Sequence, residues 1–271
     1  MRIGPILPAF PTLRILTISA AVLASSGVAT RADTPGYRGE FSISFLGLPV
    51  ARIDFDSRME GDGYRVEGKV ESAGIGAFFY DTQGTLTATG RVGDRIEAES
   101  FRAQYSYDGK PTLVDIRFAG GNVVKVVNEP PLKKRGSDWV PIPPEDLKSV
   151  VDPLAASLVK ADRLDDVCKG SSRMFDGELR ADLTLSFVST GTISVEGFEG
   201  PTVTCRLKFT PSSGYRNGRR SLEYLKTKSR IMVTFAQIGE TGIYAPIHAT
   251  IGTQIGTITV RARRFEATKA S

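Results

Sequence analysis

Histidine, cysteine and tryptophan are nearly missing from this chain of 271 residues, which holds one histidine (His248), two cysteines (Cys168 and Cys205) and one tryptophan (Trp139). The scarcity bears first on chemistry. One histidine and two cysteines, with no Cys-x-x-Cys pair, are too few soft ligands for a structural zinc site. His248 follows Pro246-Ile247 in an apolar strand, the setting of a structural histidine more than of a catalytic base. No Gly-x-Ser-x-Gly elbow presents a nucleophilic serine, and no glycine-rich loop ending in Gly-Lys-Ser/Thr cradles a phosphate. Asp165-Asp166 lacks the second acidic spacing of a calcium loop. Asp81-Thr82-Gln83-Gly84 resembles an aspartic-protease loop only superficially, with Gln83 intruding. Asp54 and Asp56 share one strand face, as many solvent-side pairs do. Carboxylate pairs for glycoside hydrolysis are spaced in three dimensions, so the sequence alone leaves them open. We therefore expect no enzyme, no metal and no cofactor.

Long apolar runs are also absent. The one candidate, Ile15–Ala24, is shorter than the 18 or so residues needed to span a bilayer. It follows Arg2 and Arg14, precedes the small residues Ser25-Ser26-Gly27-Val28-Ala29, and no acidic residue occurs before Asp33. That order of charge, short apolar stretch and small-residue exit is the layout of a signal peptide. Cleavage after Ala29 or Ala32 fits, with Ala32 preferred, so residues 1–32 are expected to be removed and 33–271 to work in the periplasm, not spanning the membrane.

Strong net charge is lacking as well. The whole chain carries 35 basic and 30 acidic residues. Arg2, Arg14 and Arg31 leave with the signal, so the mature part has 32 against 30, or +2. A nearly neutral domain has no broad positive field for nucleic acid, and none is expected as a partner. Two local clusters, Lys133-Lys134-Arg135 and Arg216 with Arg219-Arg220, sit among Pro, Gly, Ser and Asn and are most simply solvated loop charges. In an oxidising compartment an even pair of cysteines points to a structural disulfide, Cys168–Cys205. Two buried thiols are the alternative.

What the sequence has in quantity is period-two alternation. Tyr64, Val66, Gly68 and Val70 alternate with Arg65, Glu67, Lys69 and Glu71. Runs at Phe101–Tyr107, Leu183–Phe187, Val203–Phe209 and Ile258–Ala262 repeat the pattern. Successive side chains of a strand point to opposite faces, so each run wets one face and buries the other, which is antiparallel behaviour. Gly61-Asp62-Gly63, Asp108-Gly109, Gly120-Gly121-Asn122, Asp176-Gly177 and Asn217-Gly218 punctuate the runs as tight turns. About eleven or twelve strands follow from this spacing. A sheet that large with one apolar face curls, closes or folds on itself. The expected fold is mainly β: a single domain built on a large curved antiparallel sheet, as a spiral, half-barrel or open barrel.

One helical segment is expected against the concave face. From Pro144 to Ala161 the apolar residues Leu147, Val150, Val151, Leu154 and Leu158 form one stripe at helical spacing. Asp152-Pro153 reads as an N-cap and first helical proline, so the stripe is a kinked helix or two short helices in series. A proline-rich connector, from Pro130-Pro131 to Pro143-Pro144, leads into it, so connector and helix together cover about 130–161.

The segment Val151-Asp152-Pro153-Leu154-Ala155-Ala156, then Cys168, then Phe175-Asp176-Gly177-Glu178-Leu179-Arg180 resembles an uncharacterised family of secreted proteobacterial proteins, domain of unknown function 3108. Ala245-Pro246-Ile247-His248-Ala249-Thr250, Gly256 and the opening strand ending at Gly47 are similar too. This chain has Glu178-Leu179 where the family usually carries a basic pair. The resemblance implies a periplasmic protein with a long antiparallel sheet around a helix, and it supplies no catalytic residues. The shape is loosely similar to periplasmic lipoprotein carriers and to spiral envelope-integrity proteins. Two functions are therefore expected. The first is a structural or envelope-integrity role, with the sheet interior filled by the protein's own side chains. The alternative is a carrier of a lipid or lipoprotein acyl chain. The partner is an envelope protein, a lipid or a lipoprotein.

Overall fold

Alternating runs joined by Gly, Asn and Asp turns produce hairpin after hairpin. The computed structural model describes residues 36–79, 82–133 and 135–268, without the side chains of Phe78 and Phe79. The expected signal peptide, Tyr80, Asp81 and Lys134 lie outside the described residues. The N-terminal meander comprises β1 (Gly36–Phe45), β2 (Leu48–Glu60), β3 (Gly63–Ser72), a short helix α1 (Gly76–Phe79), β4 (Thr82–Val92), β5 (Ile96–Tyr107), β6 (Lys110–Ala119) and β7 (Asn122–Glu129). The connecting region holds β8 (Trp139–Val140), β9 (Val159–Lys160) and three 3-10 turns at Pro144–Leu147, Ala155–Ser157 and Leu164–Lys169. The C-terminal set comprises β10 (Ser171–Phe175), β11 (Arg180–Val195), β12 (Phe198–Ser213), β13 (Tyr215–Arg216), helix α2 (Arg220–Thr227), β14 (Ile231–Gln237), β15 (Ile243–Thr253) and β16 (Gly256–Thr268).

One 14-stranded antiparallel sheet contains nearly all of them, in the order β10-β11-β12-β14-β15-β16-β1-β2-β3-β4-β5-β6-β7, with β9 beside β15. The first strand therefore pairs with the last, Gly36 opposite Thr268 and Phe45 opposite Ile258. β8 and β13 form a small second sheet. The expected strand count is too low, because two-residue strands such as β8, β9 and β13 carry no periodic signal.

The sheet does not close by pairing its edge strands β7 and β10. A strap, residues 149–158, runs between them. Val150 N–H donates to Gly121 O (2.8 Å) in the β6–β7 turn, and Ser149 N–H to Asn122 Oδ1 (3.2 Å). Val151 N–H then donates to Arg173 O on β10 (2.9 Å), and Phe175 N–H returns a bond to Val151 O (2.9 Å). The strap thus covers the β10 edge with backbone hydrogen bonds and ties itself to the turn that leads into β7.

The strap corrects the expected helix at 144–161. Its backbone is two single 3-10 turns joined by extended chain. Ser149 has φ +52°, which ends any helix, and Val150-Val151 spend their hydrogen bonds on the sheet edges. Tertiary pairing overrides the helical spacing. The stripe is still buried on the sheet: Val150 and Ala155, with Leu147, Val151 and Leu154, pack on Tyr64, Ala88, Phe101, Ile116, Phe118 and Phe175. The eight-residue helix in the described residues is α2, in a stretch whose arginines read as loop charges.

Two further cores complete the interior. Tyr37, Phe41, Ile243, Ile247 and Phe265 form one under the tip of the β11–β12 hairpin, whose Ile193, Val195 and Phe198 fold onto it. The tip is tied down by Arg264, which pairs with Glu40 (2.9 Å), Glu266 (3.3 Å) and Glu196. The other core surrounds Val167, Val203, Val233, Phe235 and Tyr244.

Candidate functional site

Cys168, in the 3-10 turn Leu164–Lys169, and Cys205, on β12, are both buried and form the expected disulfide, closing a loop of 36 intervening residues. The bond pins that turn over β11 and β12. Just beside it, the strap stands away from the C-terminal strands and leaves a cleft of about 630 Å³. Its apolar lining includes Leu158 on one side and Leu183, Leu185, Leu207, Val233 and Phe235 on the other. These strand residues come from β11, β12 and β14, so the sheet's inner face is the floor and the strap the roof. Volumes of about 300–1,000 Å³ are usual for ligand sites that are largely pre-formed.

The rim is polar and balanced in charge. Lys160 reaches Thr241 O (3.1 Å) and Arg173 reaches Glu145 O (3.1 Å). Asp182 receives the buried Arg180 guanidinium at 2.6 Å. A larger depression of about 1050 Å³ lies over β2–β6, but it is open to solvent and its charged residues, among them Asp54, Lys69, Glu71 and Arg102, alternate in sign. It is more open to solvent than the cleft under the strap.

Asp152 holds the strap's bend. Its Oδ1 accepts from Leu154 N–H (2.8 Å) and Ala155 N–H (3.0 Å), so it caps one turn as the sequence proposes, although no helix follows. The carboxylate is fully buried, and Oδ2 has no hydrogen-bond partner among the described residues. Burial pushes its pKa up to about 6, against the lowering effect of the Ala155 and Leu154 N–H groups. Burial first, then the nearby Asp152 and Glu99 carboxylates, raise the Tyr64 hydroxyl above its ordinary range.

Where the two ends of the sheet meet, β10 and β11 turn at Asp176-Gly177. Asp176 Oδ1 accepts from Glu178 N–H (2.9 Å) and Leu179 N–H (2.7 Å), and Asn128 Nδ2 on β7 donates to Gly177 O (3.2 Å). Gly177 has φ +102°, and a Cβ there would come 2.6 Å from Val114 on β6. Gly177→Ala is expected to destabilise the fold by about 1–3 kcal/mol through left-handed strain and the push against β6, measured as a shift in denaturant midpoint at unchanged slope.

The other sequence candidates do not assemble into a site. Asp54 and Asp56 are exposed on β2, with Asp56 near Arg38 (3.7 Å) and Arg58 (3.9 Å). Asp165 pairs with Arg163 (3.3 Å) and Asp166 with Lys169 (2.7 Å). Among the described residues no three His, Cys, Asp or Glu converge as metal ligands. His248 faces Thr234 and Arg261 across β14 and β16, and burial followed by Arg261 lowers its pKa. One residue of each basic cluster is engaged: Arg135 stacks on Trp139 at 3.8 Å and bonds Glu178 (3.2 Å), and Arg216 pairs with Asp138 (3.1 Å). No helix among the described residues is long and apolar enough to cross a membrane.

The family model for a protein of unknown function, DUF3108, matches residues 40–263, from β1 to β16. The chain belongs to the DUF3108 family. A beta-barrel-like protein of the domain of unknown function DUF1849 from Brucella abortus is similar in structure, at 8% identity over 88% of this chain and 99% of that one, with a TM-score of 0.46. No curated protein matches the DUF3108 chain.

Proposed function

We propose that this DUF3108 protein is a non-enzymatic, exported binder of an elongated apolar ligand, such as the acyl chain of a lipid or lipoprotein, taken into the cleft beneath the strap. The cleft carries this reading: Leu158, Leu183, Leu185, Leu207, Val233 and Phe235 line one partly enclosed volume. A continuous apolar floor of this kind suits a hydrocarbon tail. The buried Cys168–Cys205 disulfide and the leader-like N-terminal sequence support a periplasmic location.

A second reading is a structural, envelope-integrity role. Supporting it, the interior under the β11–β12 tip is filled by Phe41, Phe198 and Phe265, and the one above β3–β6 by the strap itself. A titration with a dansyl-labelled fatty acid distinguishes the two. Ligand binding predicts a saturable fluorescence rise at one equivalent, and Leu185→Trp, which fills the cleft, weakens it at least about ten-fold. A wild-type protein that gives no saturable rise leaves only the structural role.

A further inference from the structure

Strand β11 is paired with β12 along its whole length, but on its other side β10 covers only Arg180–Thr184. Leu185 N–H still reaches Gly170 O (3.0 Å). From Ser186 to Val195 no strand of the described residues pairs with that edge; β16 comes alongside at the tip, where Phe265 N–H donates to Glu196 O (2.8 Å). Seven consecutive residues, Ser186–Thr192, are exposed on both faces of the strand. Phe187 is 60% and Val188 44% exposed.

Native sheets guard such edges with charge, proline or a covering segment. The other edges of this sheet are guarded: β10 is paired by Val151, and β7 carries Lys125 and is joined to the strap and to Gly177. The β11 edge has neither a charged residue nor a proline from Leu185 to Val195. Its one irregularity is the register shift between Phe187 and Ser189, which leaves Ser189–Val195 as a regular stretch up to the turn at Glu196. A row of free backbone donors and acceptors of this kind is a template for another extended strand.

We propose that this edge is a self-association surface, at which Ser189–Val195 pairs antiparallel with the same segment of a second copy about a two-fold axis at Thr192. The side chains are complementary to themselves in that register. Thr192 meets Thr192, Thr190 meets Ser194, Gly191 meets Ile193, and Ser189 meets Val195. Hydroxyls face hydroxyls, the glycine leaves space for the isoleucine, and no like charges oppose one another. With no charge on the strand, nothing in it selects a charged partner. The Glu196 carboxylate just beyond is held by Arg264. A two-fold contact consumes both edges and closes the assembly at a dimer.

Sedimentation velocity of the disulfide-intact mature chain tests this, with Thr192→Lys and, as a second variant, Thr190→Lys. Wild type sediments as a concentration-dependent dimer, and each lysine raises the dissociation constant at least about ten-fold, by placing like charges at or beside the axis. Both variants keep the wild-type melting temperature. Thr257→Lys, exposed on β16, leaves the dimer intact. Amides of 189–195 exchange more slowly in the dimer than in the lysine variants. A wild type that stays monomeric at every concentration overturns the proposal. So does a Thr257→Lys effect equal to that of Thr192→Lys.

Discussion

Replacing Cys168 and Cys205 together with alanine lowers stability by about 4 kcal/mol, because the reduced chain regains the entropy of a 36-residue loop in its unfolded state. For a domain of this size that corresponds to a fall in melting temperature of roughly 8–16 °C. Both sulfurs are buried beside Val167, Val203 and Phe235, so alanine keeps an apolar filling and adds only a small cavity. Calorimetry of the oxidised wild type, the reduced wild type and the double variant checks the prediction. The reduced protein and the variant are expected to melt together, well below the oxidised form. Local loosening is expected first at Leu164–Lys169, where the bond anchors a 3-10 turn over β11 and β12. Hydrogen exchange there rises before exchange in β14 or β15. Unchanged melting on reduction contradicts the account of this bond as a staple.

The second large effect is electrostatic and belongs to Asp152. Its pKa moves from an ordinary 3.8 to about 6 in the folded chain. Between those values the folded state holds a proton that the unfolded state has released, so stability declines as pH rises through the window. The full favourable contribution is present below about pH 4 and is gone above about pH 6, a difference of about 3 kcal/mol. Asp152→Asn keeps the acceptor for Leu154 and Ala155 N–H and removes the buried charge. It is expected to match wild type near pH 4, to be more stable by about 1–3 kcal/mol at pH 7.5, and to lose the slope between. Asp152→Ala removes the acceptor as well, and the cap with it, which costs about 1–2 kcal/mol relative to Asn at every pH. Denaturant midpoints of the three proteins across pH 4–8 read this directly. An Asn variant with the wild-type slope contradicts a buried, ionised Asp152.

These effects sit at points where sequence pattern and structure meet unevenly. The alternation of Tyr64, Val66, Gly68 and Val70 with charged residues translates into one buried and one exposed face of β3. The same pattern in β5 holds at Phe101 and Ala103 and then fails. Tyr105 and Tyr107 are exposed, because the strand runs beyond the strap that covers its inner face. The cysteine pair was legible because both residues had only each other. The Asp152-Pro153 cap was legible as local chemistry, but what it caps was not. A helical stripe and a buried 3-10 strap share the spacing of Leu147, Val150, Val151, Leu154 and Leu158, and only the pairing partners at Gly121, Arg173 and Phe175 separate them. Those partners are 20 or more residues away in the chain, beyond any periodicity. The cleft was illegible for the same reason: Leu158, Leu185, Leu207 and Val233 converge through strand order, with β14 rather than β13 beside β12. The open β11 edge also depends on β10 being only five residues long against sixteen in β11.

The central claim is that the volume between strap and C-terminal strands takes up a hydrocarbon chain. Native mass spectrometry of the mature protein, purified from envelope extracts without detergent exchange, tests it most directly. The account predicts a population carrying one added lipid or acyl mass. That mass is lost in Leu185→Trp and kept in Thr192→Lys, which alters only the β11 edge. Wild-type protein that repeatedly shows the bare polypeptide mass, including after incubation with excess phospholipid and fatty acid, contradicts it.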